Sequence, residues 1–159
     1  MSLVRLYIQH QKLILPTVAE TEAGFYIDTA PVQVFEIADI DSWKSAIYLA
    51  LVGGNKVVPT PERSDDPGSA ILDKLHINKW STFETSAVMY TLQTGGRYIH
   101  TYRTGKGADR MWSNEGMEQR QFASQAPLEV VVQAIAEDII KQPEALRPKN
   151  SLMLAPPSS

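Results

Sequence analysis

A chain of 159 residues, 43% hydrophobic and 21% charged, has the size and composition of one globular domain with a core of its own. Its net charge of −3 argues against the whole chain seeking nucleic acid, and the lack of cysteine excludes disulfides, thiolate metal sites and cysteine nucleophiles. The longest apolar stretches, such as Ala46–Val52, fall far short of the roughly 20 residues of a bilayer span, so no membrane association is expected.

The N-terminal segment "MSLVRLYIQHQKLILP" scatters Arg5, His10 and Lys12 among its apolar residues, whereas a signal peptide needs an unbroken apolar run. The segment therefore reads as structure, and the expected compartment is the cytoplasm. "LVRLYI" predicts a strand with Val4, Leu6 and Ile8 on one face, and "KLILP" continues it after a bulge or turn. "TVAETEAG" reads as a polar connection. "FYID" and "VQVFEI", separated by "TAP", read as a hairpin. The period then changes. Ile40, Trp43, Ile47, Ala50 and Leu51 form a helical stripe, with Asp39 or Asp41 to cap its start and Gly53–Gly54 to end it.

Residues 55–68 hold three prolines and mixed charge and read as a surface loop. "SAILDKLHI" predicts a short helix with Ile71, Leu72 and Leu75 inward. "WSTFETSAVMYTLQTGGRYIHTYRTGKG" reads as two long strands around a permissive Gly95–Gly96 turn. A tight turn there sets Leu92 opposite Ile99 and Thr91 opposite His100. One face then carries Val88, Tyr90, Leu92, Ile99 and Thr101, and the other Phe83, Ala87, Met89, Tyr98, His100 and Tyr102. "MEQRQFAS" adds a strand. Leu128, Val131, Val132, Ile135 and Ile139 mark a last helix, with Gln133, Glu137 and Asp138 toward water.

The order β-β-β-α-α-β-β-β-α, with short connections, predicts a single α+β domain over residues 1–142. Its antiparallel sheet of five to six strands packs, on one side, against about three helices. Residues 143–159 read as an extended or disordered tail from which Met153 and Leu154 dock on the body.

Chemistry-bearing residues concentrate in "YIHTYRTGKGADR", residues 98–110. Tyr98, His100 and Tyr102 share one strand face, and an imidazole between phenols is a candidate acid or base, with Arg103 beside it. The plainer reading is a partly buried sheet face. Arg103, Lys106 and Arg110 around Gly105 and Gly107 form a candidate anion cradle, but the spacing is not that of a phosphate loop and no clear helix follows. His10, His76 and His100 are too scattered for a local metal site, and no cofactor motif is present. The aromatic and cationic residues of this stretch are a local version of a nucleic-acid surface, which the acidic average opposes.

Three functional classes follow. The first is a protein-binding module whose acidic segments, with Glu20, Glu22, Glu62, Asp65 and Asp66, meet a basic partner. The second is a small hydrolase or RNA-processing enzyme using His100 with Tyr98, Tyr102 or Arg103. The third is a small-molecule or nucleotide sensor built on the Gly105–Gly107 turn. In the "WSTFETSAVMYTLQTGGRYIHTYRTGKG" hairpin, its acidic α+β composition and its lack of catalytic motifs, the chain resembles the immunity proteins of bacterial toxin systems, especially those of contact-dependent growth inhibition. That resemblance implies a cytoplasmic protein that binds a cognate toxin domain and blocks its active site. It transfers no individual residue. The oligomeric state is left open.

Overall fold

In the computed structural model the structure describes residues 2–62, 69–95, 98–106, 112–113 and 118–141. The chain forms β1 (Leu3–Gln9), β2 (Lys12–Thr21), β3 (Tyr26–Glu36), α1 (Ile40–Gly53), β4 (Val57–Val58), α2 (Ser69–Leu75), α3 (Trp80–Ser86), β5 (Val88–Gln93), β6 (Tyr98–Lys106), β7 (Trp112–Ser113), β8 (Glu118–Ala123) and α4 (Leu128–Ile140). The main sheet runs β3-β2-β1-β5-β6, antiparallel throughout, and β8 extends it on the far side of β6. The predicted α+β class holds. The expected tail from residue 143 lies outside the described residues.

The helices cover both faces of the sheet, not one. Strand alternation is the reason. Val4, Leu6 and Ile8 of β1 point into a core with Trp43, Ile47 and Leu51 of α1 and Val131, Val132, Ile135 and Ile139 of α4. Tyr7 points the other way, with Ile14 and Val32, against Ile71 and Leu72 of α2 and Phe83 of α3. β1 and β2 are apolar on both faces, and that is what permits a layer on each side.

Several local readings change. Residues 80–86 are helix, because Trp80 and Phe83 sit one turn apart and both pack beside Tyr7. The stretch 26–36 is one strand rather than a hairpin. It pairs with β2, which runs on to Thr21, and the break at "TAP" is a bulge opposite Pro16 and Thr17, containing a cis Ala30–Pro31 bond. Pro31 lacks an amide hydrogen and sits on the edge strand, where none is required. The presumed loop after Gly54 contains β4, which pairs in parallel with Glu20 and Thr21. The β5–β6 register puts Leu92 opposite Thr101 and Gln93 opposite His100. It differs from the tight-turn expectation by two residues, a slip that preserves the predicted inward face. Val88, Tyr90, Leu92, Ile99 and Thr101 are all buried. Asp138 does not simply face water, because Arg120 of β8 holds it through two bonds of 2.7 and 3.0 Å.

Asp39 stands at the start of α1 without a side-chain cap bond, so neither that capping role nor Asp41's is realised there. At the other end Gly54 has φ 71° and ψ −171°, a conformation nearly confined to glycine. An added Cβ would meet only Ser2 Oγ at 3.7 Å, so space is not limiting. Gly54→Ala is therefore expected to lose about 1–3 kcal/mol of stability through backbone strain alone, read by chemical denaturation.

Candidate functional site

The tyrosine–histidine ladder lies on the sheet face opposite α1 and α4. Ile99 and Thr101 are buried toward those helices, so Tyr98 and His100 project the other way. Tyr98 is 44% exposed, and its ring meets that of His100 edge-on at 6.1 Å. His100 is half-buried, opposite Gln93 on one neighbour and Gln121 on the other. Tyr102 and Arg103 pair through β6 with Thr91 and Tyr90, and Lys106 pairs with Trp112. Gly107 and Arg110 lie outside the described residues, as do Asp65 and Asp66. Among the described residues no group of three His, Asp or Glu side chains could hold a metal.

The acidic segments behave differently. β1 stops pairing with β2 beyond Tyr7 and Ile14, which leaves that side of β2 open farther along. The segment after α1 takes it. Glu20 N donates to Lys56 O at 2.8 Å, Glu22 N to Val58 O at 3.0 Å and Ala23 N to Thr60 Oγ1 at 3.0 Å. Glu62 follows two residues later, so the structure draws Glu20, Glu22 and the Glu62 segment to one end of the sheet. Glu22 and Glu62 are exposed, and Glu20 is half-buried. Phe25, in the β2–β3 turn, is 48% exposed and Val57 is 63% exposed. Lys56 is exposed beside them. Tyr26 reaches Glu20 Oε1 at 3.4 Å, and partial burial together with that carboxylate raises its phenol above the ordinary value. The end is thus an acidic rim around apolar anchors.

A third cluster was not anticipated. Asp28 of β3 accepts from Arg5 Nη1 at 2.7 Å and from Tyr7 Oη at 2.5 Å, with its side chain 6% exposed. Tyr7 is itself walled by Phe83 at 5.3 Å and Trp80 at 6.2 Å between ring centres. The sequence signal was a single charge interrupting each of two apolar strands, in "LVRLYI" and "FYID". Pairing the two charges requires knowing that β1 and β3 flank β2.

Burial, and next the Asp28 carboxylate, push the Tyr7 phenol well above its usual range. Its folded-state pKa is thereby higher than its unfolded one. The stabilisation it contributes is complete below about pH 10 and is lost as pH rises from there through the folded value. Tyr7→Phe is expected to make the alkaline decline of stability shallower, measured by circular dichroism during denaturation at several pH values above neutral.

The class defined here is an antiparallel α+β sheet domain with an exposed acidic end and a buried charge cluster. No helix among the described residues is long and apolar enough to cross a membrane. No family model matches the chain, and no curated protein matches it in sequence. It is similar in structure to a protein of unknown function, NMB0488, from Neisseria meningitidis, with a TM-score of 0.59 and 9% identity. The likeness covers 87% of this chain and 94% of that one, and at this identity it speaks for the fold.

Proposed function

We propose that this chain is a protein-binding module, and specifically an immunity protein that neutralises a bacterial toxin domain in the cytoplasm. The toxin seats a basic surface on the end formed by the β2–β3 turn and residues 56–62. The observation that carries this reading is the backbone stitching of Glu22 to Val58 and of Ala23 to Thr60, which gathers carboxylates around exposed Phe25 and Val57. Central apolar anchors with a charged rim are the usual anatomy of an energetic interface. Rim carboxylates speed encounter with a cationic partner and make it salt-dependent. Binding of this kind requires no cofactor and no metal.

Calorimetric titration of the purified chain with bacterial toxin domains of basic surface tests the proposal. Affinity is expected to fall with added salt. Reversing Glu20, Glu22 and Glu62 together to lysine is expected to weaken it by about tenfold or more, at the ~1 kcal/mol scale of each close charge pair. His100→Ala is expected to leave it unchanged. The reading fails if no complex forms, or if affinity survives the triple reversal and depends on His100.

A further inference from the structure

We propose that a cleft between α1 and strands β1, β2 and β3, lying where β1 and β2 part, binds a medium-chain fatty acid, with the hydrocarbon under the helix and the carboxylate at Lys56. The cleft measures about 720 Å³. It is partly open to solvent, and its volume lies within the roughly 300–1,000 Å³ that small-molecule sites span.

Its construction is specific. The strands separate after the Tyr7–Ile14 pair. Asn55 then bridges the gap with its side-chain amide, taking Leu3 N at 2.8 Å and donating to Leu3 O and Val18 O at 2.9 Å each. These bonds occupy polar groups that would otherwise draw the strands together or call for water. Overhead, α1 presents Ala46, Ala50 and Gly53 to the opening, while its large residues Trp43, Ile47 and Leu51 are committed to the core. Short side chains above a parted sheet leave a slot of hydrocarbon character.

The charge of the lining selects the ligand class. The chain carries −3 overall, yet among the described residues lining this cleft there is no carboxylate, and Lys56 is the single cation. Lys56 is exposed at the mouth, and the hydroxyls of Ser42 and Ser45 lie along the wall. An aliphatic chain ending in one carboxylate matches an apolar slot with one ammonium at its rim.

Calorimetry on the full chain with decanoate and with uncharged 1-decanol tests this. Decanoate is expected to bind saturably, one per chain. Lys56→Gln is expected to weaken decanoate about two- to fivefold, the scale of one exposed ion pair, and to leave decanol unaffected. Ala50→Trp fills the slot and is expected to abolish binding of both while unfolding stays cooperative. Should that variant not fold, Leu49→Glu at the 66% exposed rim is expected to weaken decanoate more than decanol. The site is refuted if decanoate gives no saturable heat at millimolar concentration. It is equally refuted if several molecules bind per chain, or if Lys56→Gln together with the folded slot variant leaves binding intact.

Discussion

Asp28→Ala is expected to lower the unfolding free energy by about 3 kcal/mol, because it removes the shared acceptor of a largely buried cluster and leaves two donors facing apolar neighbours. Arg5 is 21% exposed and can turn partly to water, which keeps the loss at the lower end for a broken buried pair. Tyr7 has no such escape, at 2% exposure between the sheet and Phe83. The cluster also spans the sheet, linking Arg5 and Tyr7 of β1 to β3 across β2, where direct pairing of β1 with β2 ends at Tyr7 and Ile14. Its loss therefore loosens the edge strand as well as the charges. Urea denaturation followed by circular dichroism checks this: the midpoint falls and the slope stays constant. A loss below about 1 kcal/mol would mean that the three groups are solvated independently.

Trp43→Ala is expected to cost about 3–5 kcal/mol, the range for deleting a large aromatic from a closed core. Trp43 is fully buried, and its indole donates to Ile37 O at 3.1 Å. It thus fixes the start of α1 to the chain leaving β3, while its ring joins the cluster formed by α1, α4 and the sheet. Trp43→Phe separates the two roles. It keeps most of the packing and loses the hydrogen bond, so about 1–2 kcal/mol of the loss is expected from it. Denaturation curves of the two variants, compared with the parent, give the result directly.

Much of this fold is legible in hydrophobic period. The stripe Trp43–Ile47–Leu51 and the stripe Val131–Ile135–Ile139 specify α1 and α4 without reference to anything distant. The alternation of β5 and β6 specifies their inward faces even though the register differs from that of a tight Gly95–Gly96 turn, because a slip of two residues preserves facing. What was not legible depends on partners far along the chain. Residues 80–86 contain β-branched and aromatic residues fit for a strand, and only the pocket beside Tyr7 makes them a helix. "TVAETEAG" looks polar because β2 there lines one cleft wall and the acidic end. The Arg5–Asp28 pair and the Asn55 bridge span sequence distances of 23 and 52 residues that no local pattern encodes.

The same distinction applies to the candidate sites. The residues of "YIHTYRTGKGADR" are neighbours in sequence, and on the sheet Tyr98 and His100 form a half-open aromatic face. The acidic segments are legible only as composition, and the β2–β4 pairing brings Glu20, Glu22 and the Glu62 segment to the end of the sheet that carries Phe25.

Hydrogen–deuterium exchange on the chain alone and in complex with a toxin domain that it binds tests the central claim most directly. The account predicts that binding slows exchange in residues 20–26 and 56–62 and leaves residues 98–101 unchanged. Slowed exchange confined to residues 98–101, with the acidic end exchanging as in the free protein, would contradict it.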